Sequence, residues 1–204
     1  MRVLDLFSGL GGWSEAFVKR GYEVQRIENN PLLSGVPHTQ EMCVLELRDI
    51  LQDYHDRGYE VQKPDVITAS PPCLHFSNAF SSPKSIYQRK YGSLDGYEPP
   101  LDLVHATLDI IKLCKPRYWV IENVVGSIRY LEPILGKPRQ IIGAYVLWGN
   151  YPLIDDNMTL PSKADKDKRW SEIRANHKAY IPFKLSHALM IAILSQQTVY
   201  DWLQ

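Results

Sequence analysis

Cys73 follows two prolines in Ser70-Pro71-Pro72-Cys73, a setting that suits a nucleophile. The prolines stiffen the chain and supply no amide hydrogen, and a useful thiolate fraction is reachable near neutral pH. A second segment, Glu122-Asn123-Val124, puts an acid directly after the apolar run Tyr118-Trp119-Val120-Ile121. Glu122 must therefore stand at the mouth of a strand or be paired inside. In a third segment, Asp5-Leu6-Phe7-Ser8-Gly9-Leu10-Gly11-Gly12, the glycines let a backbone turn tightly and approach a ligand without Cβ clashes. A thiol nucleophile beside a carboxyl group and a cofactor loop makes an active site.

These parts need a frame that brings them together. Each segment stands where an apolar run ends: Val3-Leu4, Val66-Ile67 and Tyr118 to Ile121. Ligands of open α/β sheets bind outside the carboxyl ends of the strands, so the three segments converge on one crevice. Short β-rich runs (Val3 to Phe7, Glu23 to Glu28, Met42 to Leu45, Asp65 to Ala69) alternate with helical patterns (Trp13 to Arg20, Leu47 to Arg57). The alternation predicts an α/β fold with a mostly parallel sheet and helices on both faces. Leu101, Val104, Leu108 and Ile111 recur at helical spacing after Pro99-Pro100 and before Pro116. Gln140 to Trp148 reads as a strand, Gly149-Asn150 as a turn and Tyr151 to Ile154 as a second strand, an antiparallel hairpin. Leu185, Ala188, Leu189, Ala192 and Ile193 give an amphipathic last helix packed beside the first strand. Leu74 to Gly96 and Asp155 to Lys168 read as irregular. The first, starting right after Cys73, is a mobile basic loop able to close over a nucleic acid, with Lys84, Arg89 and Lys90 meeting phosphates and Tyr87 or Tyr91 stacking; the alternative is a disordered surface excursion.

The 204 residues suit one domain, and 45% hydrophobic residues are ample for one core, so no second domain is expected. Lys+Arg and Asp+Glu both total 23, so no global field draws the chain to a polyanion and nucleic-acid binding must come from local patches. The start Met1-Arg2-Val3-Leu4-Asp5 has no signal h-region and no apolar run approaches membrane-spanning length, which points to a cytoplasmic protein without membrane contact. Cys43, Cys73 and Cys114 are widely spaced with no CxxC pair, which argues against disulfides and against a metal site. Cys43 and Cys114 read as small buried hydrophobes.

In the order and content of its three segments the chain resembles the DNA cytosine-5 methyltransferases, with their DLFxGxGG loop, Pro-Cys nucleophile and Glu-Asn-Val strand end. The resemblance implies a Rossmann-like fold, S-adenosylmethionine as cofactor and double-stranded DNA, with one base flipped out, as substrate. The Gly9-Leu10-Gly11-Gly12 spacing departs from the G-x-G-x-x-G of NAD or FAD sites and favours a cofactor without a pyrophosphate. By resemblance the cofactor contacts fall on Asp5, Phe7, Ser8, Gly9, Leu10, Gly11, Gly12 and Pro72. Asp49 would accept from the adenine amine, and Ile50 would pack on the ring. Glu28, ending the second strand, is placed to accept from both ribose hydroxyls, as acids at this point of Rossmann folds do. For Asp49 the alternative is a helix N-terminal acid, and for Glu28 a solvated charge.

The implied chemistry starts with the Cys73 thiolate adding to C6 of cytosine, which makes C5 nucleophilic. Glu122 would bond the exocyclic N4 and share or donate a proton at N3 in a dry pocket; a structural ion pair is its alternative. Asn123 would orient the loop rather than react.

Three departures stand beside the match. Leu74 occupies the place of a usual Gln after Pro-Cys, although Phe76-Ser77 is retained. The Gln-x-Arg-x-Arg segment is missing, and Arg139 in Gly136-Lys137-Pro138-Arg139 is the candidate for part of its work. Ile181 to Ser186 replaces the Gly-Asn that opens the last conserved helix. From Asp155 to Ile181 there are only about thirty residues where the family inserts a target-recognition domain. Target selection would then be short, be supplied by the Lys163 to Lys178 segment, whose alternative reading is a solvated helix face, or come from a partner chain. Three rival readings stay open: an amino methyltransferase, because Ser70-Pro71-Pro72 begins that class's signature; an RNA cytosine-5 methyltransferase; and a non-catalytic cofactor- or DNA-binding subunit. The compact size resembles methyltransferases of phage and prokaryotes.

Overall fold

Seven strands form one sheet: β1 (Arg2–Leu6), β2 (Glu23–Glu28), β3 (Thr39–Glu41), β4 (Val66–Ala69), β5 (Tyr118–Asn123), β6 (Gln140–Ile142) and β7 (Tyr145–Asn150). Around it lie α1 (Glu15–Lys19), α2 (Val44–Asp56), α3 (Pro83–Tyr91), α4 (Asp102–Cys114), α5 (Ile128–Leu135), α6 (Arg174–Ala179) and α7 (Phe183–Trp202). The structure, a computed structural model, describes residues 1–160 and 171–202, with side chains as far as 196.

The sheet order is β3-β2-β1-β4-β5-β7-β6. Strands pair in parallel except β7, which runs antiparallel to both β5 and β6. This is the mostly parallel, Rossmann-like arrangement expected. Strand order reverses between β1 and β4, so their carboxyl ends open the crevice where such sheets bind ligands. From Val3 on, β1 is buried on both faces, as is all of β4, which is why they read as continuous apolar runs rather than alternating ones. One face packs Val3, Val66 and Val120 against Phe17 of α1 and Leu185, Leu189 and Ile193 of α7. The other packs Leu4, Leu6, Ile67 and Ile121 against Val44 of α2, Val104 and Ile110 of α4 and Leu131 of α5.

Four elements differ from the sequence reading. The hairpin turn is Gly143-Ala144, because Ile142 pairs with Tyr145 and Gly143 adopts φ +60°, the left-handed conformation a two-residue hairpin needs. Gly149 instead lies inside β7 at φ +144°, where a Cβ would overlap the Trp119 carbonyl oxygen, and Tyr151 to Ile154 form no strand. The third strand is Thr39–Glu41, so Met42 to Leu45 leads into α2 rather than forming β3. Between Leu74 and Gly96 the chain forms α3, with Ser82 accepting from the Ser85 amide at its start and Gly92 at φ +75° at its end. Cys114 is buried, its thiol pushed up to about 11 by burial, whereas Cys43 is half-buried at the start of α2. No helix among the described residues is long and apolar enough to cross a membrane.

Candidate active site

The glycine turn after β1 is held from three sides. The Ser8 amide donates to Ile27 O at 3.0 Å and the Gly11 amide to Ser8 O at 2.7 Å, closing the loop. Phe7, Gly9 and Gly11 all have positive φ, at 56°, 54° and 78°. For Phe7 this conformation costs about 1–2 kcal/mol, held by the bonds around it. Glu28 ends β2 buried beside the turn; its Oε2 accepts from the Gly9 amide at 2.9 Å and its Oε1 from the Asn30 amide at 3.0 Å. Each carboxylate oxygen has more than one acceptor direction, so Glu28 can serve the loop and still receive a ligand hydroxyl.

Arg26, fully buried on β2, lies under the turn: Nε donates to Ser14 Oγ, Nη2 to Gly11 O at 3.1 Å and to Glu15 Oε2 at 3.2 Å, and Nη1 to Pro37 O. A Cβ on Gly11 would run into that guanidinium, and one on Gly12 would come within 2.6 Å of Ile181 O. These contacts explain why the turn needs glycine at both positions. Asp5 is buried behind it, accepting from Ser14 Oγ at 2.6 Å and Thr68 Oγ1 at 2.9 Å. Burial raises its carboxyl to about 6, against the opposing effect of the two hydroxyls and of Arg26. Ser186, at the start of α7, donates to Trp13 O at 2.6 Å and accepts from the Ala16 amide at 3.2 Å. The Ile181 to Ser186 segment thus backs the turn and the start of α1.

Cys73 follows β4 by four residues and is half-buried; its carbonyl accepts from the Phe76 and Ser77 amides, a tight turn that fixes the backbone at this cysteine. Asn123 ties this loop to β5: Nδ2 donates to Pro71 O at 3.0 Å while Oδ1 accepts from the Val124 amide at 2.9 Å. Glu122, one residue earlier, is 3% exposed, and its Oε2 accepts from Ser70 Oγ at 3.0 Å. Ser70 Oγ in turn accepts from Trp13 Nε1 at 2.9 Å. Burial of Tyr145 on β7, with a further contribution from the nearby Glu122 charge, raises its phenol above the ordinary range. The glycine turn, the Pro-Pro-Cys loop and Glu122 therefore share the carboxyl edge of β1, β4 and β5.

Several candidates lie elsewhere. Asp49 and Ile50 sit in the second turn of α2, not at the mouth of β3; Asp49 is exposed and pairs with Arg48 at 2.6 Å, and Ile50 is exposed. β3 ends at Glu41, so Met42 and Cys43 occupy the strand mouth, and the Met42 amide donates to Glu28 O. Lys84 is buried, and its Nζ donates to Gly126 O at 3.3 Å, joining α3 to the loop after Glu122-Asn123 rather than standing free for a phosphate; burial lowers its pKa. Arg89 donates to Phe80 O at 2.8 Å and covers the exposed Phe80 ring, while Lys90 lies over the Tyr91 ring. Arg139 precedes the edge strand β6, its guanidinium 5.4 Å from the Tyr151 ring. Tyr151 follows Asn150, which pairs with Trp119 near the start of β5, so this arginine reaches toward the edge opposite Cys73. Tyr87 and Tyr91 stack within a chain of rings continued by Tyr97, Tyr130 and Phe76. Of the charged Lys163 to Lys178 segment, residues 163–170 lie outside the described residues.

Sequence reasoning passed over Trp13, Ser70, Arg26, Asn30 and Asn176. Arg26 and Trp13 carried a signal, a charge inside a β-run and a large aromatic directly after the glycines. Asn176 Oδ1 accepts from Asn30 Nδ2 at 3.5 Å and its own Nδ2 lies beside Gly9, a long-range contact with no local signature. The donor set fits a cofactor such as S-adenosylmethionine: the turn is open to close approach, Glu28 offers acceptors, and Ser8 Oγ is buried without a partner. No cluster of metal-ligating side chains occurs among the described residues.

A doubly wound sheet here gathers a glycine turn, a Pro-Pro-Cys loop and a buried Glu-Asn pair at the edge where such sheets bind their ligands. The sequence model of the C-5 cytosine-specific DNA methylases matches residues 1–129, and the chain belongs to that family. It is 26% identical over 162 residues to the type II methyltransferase M.DdeI of Desulfomicrobium norvegicum, covering 70% of this chain and 34% of that one. It is 27% identical over 129 residues to the type II methyltransferase M.HgiGI of Herpetosiphon aurantiacus, covering 61% and 90%. Among solved structures, the Entamoeba histolytica methyltransferase EhMeth shares 15% identity at a TM-score of 0.47, covering 84% of this chain and 61% of that one. The chain spans about a third of the length of the first curated relatives it matches.

Proposed function

We propose that the protein transfers a methyl group from S-adenosylmethionine to C5 of cytosine in double-stranded DNA through a covalent adduct on Cys73. The observation that carries this reading is the meeting of the Cys73 loop and the buried Glu122 beside the glycine turn, in a chain of the C-5 cytosine methylase family. S-Adenosylmethionine, when bound, supplies an electrophilic methyl group. Glu28 and the 8–12 backbone would hold it, with Ser8 Oγ offering the one buried hydroxyl there that lacks a protein partner.

The Cys73 thiolate forms a bond to C6 of a base flipped from the duplex, and the electron pair of the 5,6 double bond moves toward C5 and the ring. Glu122 bonds the exocyclic N4 and holds a proton at N3, which stabilises that charge where water is excluded. C5 would then take the methyl group as its bond to the cofactor's sulfonium sulfur breaks and that sulfur keeps the electron pair; a base would remove the C5 proton, the C–H pair would re-form the double bond and Cys73 would leave C6 as thiolate. Asn123 keeps the Pro71 carbonyl, and with it the nucleophile loop, at a fixed distance from β5. Target choice belongs to the α6 region or to a partner chain, because Lys84, Arg89 and Lys90 are engaged within α3 and its surroundings.

Purified protein is incubated with unmethylated duplex DNA and labelled S-adenosylmethionine, and the nucleosides are identified by mass spectrometry. We expect 5-methylcytosine, reduced below detection in Cys73→Ala. N4-Methylcytosine or N6-methyladenine that survives the substitution would assign the amino-methylating class instead. Transfer to RNA alone would change the substrate.

A further inference from the structure

We propose that Trp13 and Ser70 form a polarised hydrogen-bond relay that positions Glu122 and couples it to the end of the cofactor turn. The inference rests on the reading of Glu122 as the group that handles the base. Trp13 follows Gly11-Gly12 directly and is 2% exposed; its Nε1 donates to Ser70 Oγ at 2.9 Å, and Ser70 Oγ donates to Glu122 Oε2 at 3.0 Å.

The direction is set by chemistry. An indole N–H only donates, so Ser70 Oγ must accept at that end, and its single hydrogen points to the other neighbour, Oε2. Oε2 is thereby held as an acceptor, and a proton carried by Glu122 resides on Oε1. Ser70 stands on the Pro-Pro-Cys loop, Glu122 on β5 and Trp13 after the glycine turn, so one hydroxyl joins all three parts of the site. Trp13 is itself fixed, because its carbonyl accepts from Ser186 Oγ at 2.6 Å. A shift of the turn on cofactor binding is transmitted to Glu122 through two bonds. Titratable groups around this relay include Cys73 on the same loop as Ser70, Tyr145 of β7, whose phenol is pushed up by burial and by the Glu122 charge, and Asp5 of β1, bonded to Ser14 next to Trp13.

Two measurements test the relay. The indole 15N–1H resonance of Trp13, assigned by its loss in Trp13→Phe, is followed against pH in wild type, Ser70→Ala, Glu122→Gln and Asp5→Asn. The relay requires a titration present in wild type and Asp5→Asn and absent from both Ser70→Ala and Glu122→Gln. A titration unchanged in Ser70→Ala or in Glu122→Gln overturns it. In the methylation assay Ser70→Ala is expected to lower kcat about tenfold, with KM for DNA and for S-adenosylmethionine within about twofold, and Ser70→Thr to restore most of the loss. Wild-type kcat in Ser70→Ala would also overturn the positioning role. If wild-type protein formed no 5-methylcytosine, the functional reading would fall while the Trp13 resonance still decided the relay.

Discussion

Asp5 shows how much a single buried group can govern behaviour. Its carboxyl titrates near 6 in the folded chain against an ordinary value of 3.8, because burial disfavours its charge more than Ser14, Thr68 and Arg26 favour it. The folded state therefore binds this proton more tightly than the unfolded chain does. The resulting stabilisation is complete below about pH 4 and is lost as pH rises through about 6, a change of about 2–3 kcal/mol. Thermal melts of wild type and Asp5→Asn between pH 4 and 8 should differ in slope over that interval, the variant being flatter; parallel profiles would refute the account. At the same scale, Cys73→Ala should abolish 5-methylcytosine formation without lowering the melting temperature by more than a few degrees, since Cys73 is half-buried and fills no core position.

Among the elements, β7 decides the geometry of the far side of the site. It runs antiparallel between β5 and β6 and brings Tyr145 beside Asn123 and Glu122. The close approach of β7 to β5 depends on Gly149, whose missing Cβ leaves space for the Trp119 carbonyl. Gly149→Ala should cost about 2 kcal/mol or more, through both the clash and the φ of +144°, and should lower the denaturant midpoint without changing the m-value. A midpoint equal to wild type would show that β7 can shift freely. α3 is tied to the loop after β5 through the buried Lys84, so residues 83–91 form a helix rather than an open basic strap.

For the molecule as a whole, Lys plus Arg balance Asp plus Glu, and among the described residues the cations of α3 are engaged internally. A formal charge of zero gives no long-range attraction, and Arg89 and Lys90 are stacked on rings. Titrating a labelled duplex at several salt concentrations should give a slope of log Kd against log salt of about three or less. A slope near that of a heavily basic DNA-binding protein would mean that residues outside the described part carry the contact.

The order of the three motif segments, the strands that carry them and the family were legible in the sequence, because each depends on local pattern. Apolar runs mark buried strands, glycines mark a turn, and Pro-Pro-Cys and Glu-Asn-Val are contiguous motifs. α3 was missed: Ser82-Pro83 at its start and Gly92 at its end are its signals, but sparse apolar spacing left the stretch reading as irregular. Gly149 and Gly143 could not be told apart as turn and close approach until strand pairing fixed the register. Likewise Asp49-Ile50 matched a motif by letters, while the position of β3 set a different pair at the strand mouth. Only the tertiary structure decided that Lys84 is buried, that Arg139 reaches away from Cys73, and that Trp13, Ser70 and Glu122 stand in line. The Lys84–Gly126, Ser70–Glu122 and Trp13–Ser70 contacts join residues 42 to 57 positions apart, and chain folding, not neighbouring sequence, sets which side chains meet across such separations.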